Sequence, residues 1–153
     1  MKKIGFIGAY DKTDLIIYIA KILTTLKKKV LVIDATTKQK ARYVVPVINP
    51  TKMYVTEYEE IDIAVGFPNI EDIKRYLGYS EEQDLDYDIV LIDTDSIEGF
   101  SIFKLEESFK NYFVTSFDAY SLRTRNFKWI KNCCKFNKST FCWRNVKRRR
   151  WLS

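Results

Sequence analysis

The 153-residue sequence has no histidine, only three cysteines, no apolar run approaching a membrane span, and no acidic residue after Asp118. Each absence excludes something. Cys133 and Cys134 are adjacent and Cys142 stands apart, which predicts no disulfide framework. Lacking His and a paired Cys-x-x-Cys spacing, the chain also predicts no zinc site. No segment nears the roughly 20 apolar residues that cross a bilayer. The N-terminus enters strand pattern at once and leaves no room for a signal peptide, so a bacterial-type cytosol is the expected compartment. The missing acids make the charge lopsided: the formal +6 divides into +11 after Asp118 and −5 up to it.

What is present suits a single globular domain. With 46% hydrophobic and 30% charged residues, the chain can bury a real core. Ile4 to Ile7 predicts a fully buried central strand, and Gly8 to Asp11 a loop. A helix follows from Lys12-Thr13. Its residues Leu15, Ile16, Ile19, Ala20, Ile22, Leu23 and Leu26, widened by Ile17 and Tyr18, predict heavy burial against a sheet. Lys27, Lys28 and Lys29 close it, and Val30 to Ile33 is a second buried strand ending at Asp34. Strand, helix and strand within about thirty residues make a parallel, right-handed βαβ unit.

Residues 35–50, with Pro46 and Pro50, read as irregular or as an edge strand. Met53 to Val65 reads as an edge strand or a hairpin. Asn69 to Leu77 reads as a short helix capped near Pro68-Asn69 and stopped by Gly78. Asp88 to Asp93 is the clearest buried strand, followed by loop residues Thr94, Asp95 and Ser96. Leu105 to Phe109 suggests another helix, and Tyr112 to Phe117 another buried strand. Tyr120 to Cys133 reads as a basic helix with Leu122, Phe127, Ile130 and Cys134 on or near one face. The expected architecture is a three-layer α/β domain over residues 1–132, a mostly parallel sheet with the first strand central and helices on both faces. Residues 133–153 read as a basic tail with the composition of a disordered or frame-shifted segment.

The strand–loop–helix order at residues 3–26 is the layout in which backbone N–H groups and the positive end of a helix meet an anion. An ordinary helix start, with Thr13 or Asp11 as N-cap, would explain Lys12-Thr13 by themselves. Asp34 and Asp93 at two further strand ends place charged groups where open α/β sheets keep their sites.

These segments together, Ile7-Gly8-Ala9-Tyr10-Asp11-Lys12-Thr13, the Asp34-ended second strand and Tyr87 to Thr94, resemble the ParA/MinD group of deviant Walker-A P-loop ATPases. That group includes pilus-assembly and cellulose-secretion localisation proteins. The resemblance covers roughly residues 1 to 130 and implies a P-loop NTPase-like fold, ATP and magnesium as ligands, and a homodimer. Gly8, Lys12, Thr13, Asp34 and Asp93 would be the nucleotide-site residues. Lys12 would reach the β- and γ-phosphates, Thr13 would hold magnesium, and Asp93 would approach the metal through water.

The sequence departs from the family's Lys-Gly-Gly-x-Gly-Lys-Thr loop in two places. Ile7 replaces the lysine that reaches the partner's nucleotide, and Asp11 replaces the glycine before Lys12. A side chain at 11 obstructs backbone approach and disfavours a positive φ. Its carboxylate also faces the polyphosphate, and two unit charges about 4 Å apart cost on the order of 4 kcal/mol at an effective dielectric near 20. The second strand runs Asp34-Ala35-Thr36, so Thr36 stands where the family's hydrolytic acid is expected. The resemblance therefore predicts a degenerate site and a localisation or assembly partner of partition, pilus or secretion type, with an active or weakly active Mg-ATPase as the alternative. A response-regulator receiver fits less well, since Asp11 gives only one acid near the first strand and Phe117-Asp118-Ala119 offers no lysine. The basic tail, with Phe136, Phe141, Trp143 and Trp151 among its cations, has the composition for a membrane surface or for nucleic-acid phosphates. It would bring the protein peripherally to the membrane.

Overall fold

Runs of consecutive branched apolar residues are satisfied by strands covered on both faces, and such runs form the middle of the sheet. The computed structural model describes residues 1–45, 47 and 51–114. In chain order these give β1 (Lys2–Ile7), α1 (Thr13–Thr25), β2 (Val30–Asp34), α2 (Ala41–Val44), β3 (Tyr54–Tyr58) and β4 (Ile61–Val65). Then come α3 (Ile70–Tyr76), β5 (Ile89–Thr94), α4 (Ile97–Ile102), a single 3-10 turn (Leu105–Glu107) and β6 (Lys110–Phe113). The strands lie in the order β3-β4-β2-β5-β1-β6. Every neighbouring pair is parallel except the β3–β4 hairpin.

Alternation along the strands divides the core in two. Ile7, Leu31, Ile33, Val90 and Ile92 point to one face, where they pack with Ile73 of α3 and Phe100 of α4. Phe6, Val30, Val32 and Leu91 point to the other, against Ile16 and Ala20 of α1 and Ala41 of α2. Helices therefore cover both faces of a mostly parallel α/β sheet.

Several expectations change. β1 is interior but not central, because β5 inserts between it and β2, pairing with both. Met53 to Val65 resolves as a hairpin turned by Glu59 and Glu60, both left-handed at φ +49° and +64°. Paired positive φ values match the twist of the flanking strands, but no Asn-Gly signal marks the turn. Residues 41–44 form a short helix inside the segment read as irregular. Asn69 does cap α3, its side chain accepting the Asp72 N–H at 2.7 Å.

α4 was not expected. It starts at Ser96, whose hydroxyl accepts the Gly99 N–H at 2.9 Å, and its in-helix glycine masks the pattern. The expected helix at 105–109 is only the 3-10 turn. β6 begins at Lys110 rather than Tyr112 and is not a buried strand, since Tyr112 is 44% exposed. The predicted continuation to Phe117, the helix at 120–133, the tail at 133–153 and both prolines of the 43–50 stretch lie outside the described residues.

α1 departs most from expectation. Ile16 and Ala20 are buried, but Leu15, Tyr18, Ile22 and Leu26 are exposed. An apolar arc this wide exceeds what one face of a sheet can cover, so Ile16 and Ala20 are buried, Ile19 and Leu23 are partly buried against them, and the rest of the arc faces outward.

Candidate functional site

Parallel register brings the sequence-predicted residues to one rim. Asp34 and Asp93 are direct partners across β2 and β5, and Ile7 is opposite Thr94 across β1 and β5. Gly8 leaves β1 with φ +143°, and a Cβ there would come within 2.2 Å of the Val114 carbonyl oxygen. Only glycine fits that exit, which turns the loop back over the rim and starts α1 beside Asp93.

All three charged groups are withdrawn from water: Lys12 is 2% exposed, Asp34 4% and Asp93 4%. Lys12 Nζ donates to the Gly8 carbonyl at 2.6 Å and the Tyr10 carbonyl at 3.1 Å. It lies 2.8 Å from Asp93 Oδ1, an ion pair in which that oxygen receives no well-aligned hydrogen bond from the described residues. Burial pushes the Asp93 carboxyl up to about 6 against the opposing pull of Lys12, and the Asp34 and Asp95 charges push it the same way.

Asp34 is committed to the backbone. Its Oδ1 accepts from the Thr36 N–H at 3.0 Å and hydroxyl at 2.6 Å, and its Oδ2 accepts from the Ala41 N–H at the start of α2. Thr36, in the position of the expected hydrolytic acid, is thus tied to Asp34. Asp95 had no predicted role. It accepts from the Thr37 N–H at 3.0 Å and hydroxyl at 2.7 Å, tying the loop after β5 to the loop after β2.

Asp11 explains the state of the loop. The N-cap position of α1 is Lys12, with no side-chain cap of its own, and neither Thr13 nor Asp11 occupies it. Asp11 Oδ1 nevertheless accepts from the Thr13 N–H at 3.2 Å and from the Thr13 hydroxyl at 3.0 Å. Its other oxygen pairs with Lys40. The Lys40 ammonium first, and then the Thr13 amide and hydroxyl, hold the Asp11 carboxyl below the usual carboxylate range. Residue 11 is not among the positive-φ positions, so the expected backbone strain is absent and its effect is electrostatic.

Sequence reading missed Lys40. It lies 29 positions from Asp11 on the loop before α2, and no local pattern links them. An open depression of about 440 Å³ adjoins the pair, lined by Asp11, Thr13, Lys38, Lys40 and Tyr43.

As arranged, these residues do not fit a metal–nucleotide pair. The Thr13 hydroxyl is bonded to a carboxylate, Asp93 is paired with an ammonium, and Lys12 is turned onto loop carbonyls. Among the described residues, no group of three or more acidic side chains is placed to hold a metal ion, and no helix is long and apolar enough to cross a membrane. Compared with known proteins, the chain matches no family model and no curated protein.

Proposed function

We propose that the chain is a ParA/MinD-like protein of three-layer P-loop NTPase-like fold whose nucleotide site is degenerate. It acts as a localisation or assembly partner, of the partition, pilus or secretion type, rather than as a turnover ATPase. One observation carries this reading. The Asp11 carboxylate accepts from both the first amide of α1 and the Thr13 hydroxyl, so an anion of the chain's own stands where a phosphate would be met. In support, the Lys12 ammonium is used internally, and Asp34 and Asp93 share the same rim of the sheet.

Calorimetric titration with Mg-ATP tests the proposal, with Lys12→Ala and Thr13→Ala as controls whose folding is checked by circular dichroism. No heat above dilution is expected from the wild-type chain. Binding near micromolar that both substitutions abolish would overturn the degenerate reading in favour of an active or weakly active Mg-ATPase. The survival of Lys12 and Thr13 and the open depression that Thr13 lines favour that second reading.

A further inference from the structure

The sheet ends on one side at β3, and no described strand pairs with its outer edge. Among the described residues, only β4 hydrogen-bonds to the backbone of Tyr54–Tyr58. Edges of this kind are ordinarily guarded by proline, lysine, a bulge or an inward-pointing charge. β3 has none of these within its five residues, and its register with β4 runs through five successive pairs without a bulge. Glu57, its one charge, faces solvent.

We propose that this edge is a self-association surface. β3 of a second copy pairs with it antiparallel, about a two-fold axis at Thr56, and joins the two sheets into one.

Symmetry itself restricts the register. Directly opposite residues of an antiparallel pair point to the same face of the sheet. A two-fold axis normal to the sheet must therefore set one residue opposite its own copy. Centred on Glu57, like charges meet on the axis, and centred on Tyr58, Glu57 faces Glu59 of the second copy. Centred on Tyr54 or Val55, no charge faces a charge. Centred on Thr56, Lys52 faces Glu60 of the second copy at one end, and the reverse pair forms at the other. Lys52 and Glu60 are both exposed, and among the described residues neither has an ion-pair partner.

The same register suits the remaining side chains. Tyr54 faces Tyr58 of the second copy on the α1 side of the sheet, where both rings already pack. Glu57 faces Val55, and Met53 faces Glu59, whose charge is met by Lys21 of its own chain. Aromatic pairs and opposite charges across strands both stabilise a sheet. The charge spacing that matches this edge is the chain's own, which selects a second copy over an unrelated extended peptide. Because β3 lies at the far side of the sheet from β1, such pairing needs no nucleotide and stands apart from the reading of the rim.

Charge reversal in the full chain tests the register, by sedimentation equilibrium without nucleotide and with folding checked by circular dichroism. One strand on one strand is a small interface, so a weak, reversible dimer is expected below about 1 mM. Lys52→Glu or Glu60→Lys alone sets like charges face to face at both ends and should weaken it about fivefold or more. The two together exchange the partners and should restore it to within about twofold of the wild type. A chain still monomeric at about 1 mM overturns the proposal. So does a dimer that ignores both single changes or is not restored by the pair. A dimer formed only with Mg-ATP overturns it too, and places association at the nucleotide rim.

A second measurement needs no substitution. Amide exchange within 54–58 of the wild-type chain should slow as protein concentration rises, while exchange in β2 and β5 is unchanged. Exchange in β3 that is independent of concentration across the dimerisation range overturns the proposal.

Discussion

At the carboxyl rim of the sheet, Lys12, Asp34 and Asp93 are almost wholly withdrawn from water, while along the flank of α1 Leu15, Tyr18, Ile22 and Leu26 stand exposed. Each region inverts the usual partition, and the difference between them is instructive. Burial at the rim is imposed by topology, because adjacent parallel strands end in register and a loop folds over them. Charges caught there survive by satisfying one another and the backbone. The flank has the opposite problem. Its residues carry the correct polarity for a core, but the described elements supply no surface to meet them. Side-chain type proposes burial, and the packing of neighbouring elements disposes of it.

Removing one member of the rim pair should break the comparison most sharply. Lys12→Ala leaves Asp93 as an uncompensated buried charge, an expected loss of about 3–5 kcal/mol at neutral pH, read from urea unfolding. The loss should shrink at pH 5. Asp93 has a folded-state pKa raised to about 6 from an ordinary 3.8, so it binds its proton more tightly folded than unfolded. Its contribution to stability is fully present below the unfolded value and lost as pH rises through about 6. Without Lys12 the carboxyl rises further, and the variant should recover stability on acidification more than the wild type does. A loss independent of pH between 5 and 8 would mean that Asp93 is not the group left unpaired.

Asp34→Ala comes next. It deprives two backbone N–H groups and one hydroxyl of their acceptor, with an expected cost of about 3 kcal/mol. Accelerated amide exchange at Thr36 and Ala41 should accompany it. If stability is kept, the rim charges are not held by these bonds.

Asp11→Gly trades a little stability for chemistry. Losing the carboxylate that accepts from the Thr13 amide and hydroxyl should cost about 1 kcal/mol in thermal or urea unfolding. The Thr13 amide and hydroxyl become free, and calorimetry should find Mg-ATP or inorganic phosphate bound at least about tenfold more tightly than by the wild type. Unchanged affinity would remove Asp11 as the cause of degeneracy.

The flank supplies the smallest effect. Tyr18 is 65% exposed, so Tyr18→Ser should change stability by no more than about 0.5 kcal/mol. A larger loss would show that this side of α1 is covered.

Much of the architecture was legible. Val30 to Ile33 and Asp88 to Asp93 read as buried strands because unbroken apolar runs suit only strands covered on both faces. The Asn69 cap and the Gly78 stop at φ +80° were readable because they act within a few residues. α4 was hidden by Gly99 inside a six-residue helix, and β6 was placed two residues late because Lys110 and Asn111 look like loop. Asn111 is in fact 7% exposed, its amide donating to the Leu105 carbonyl at 2.8 Å, a bond formed only once the 3-10 turn exists.

Local periodicity and turn chemistry were enough to place the interior strands β1, β2 and β5 and the helices α1 and α3, and to put Gly8, Lys12, Asp34 and Asp93 at strand ends or loop turns. The tertiary structure alone decided what those groups do. It placed Asp34 beside Asp93, turned Lys12 onto Asp93, gave Asp11 to Lys40 across 29 positions, and left one flank of α1 outside the core. The physical reason is that a charge or an apolar stripe is encoded where it sits in the chain, whereas the partner that satisfies it arrives only when crossovers bring distant segments to the same rim.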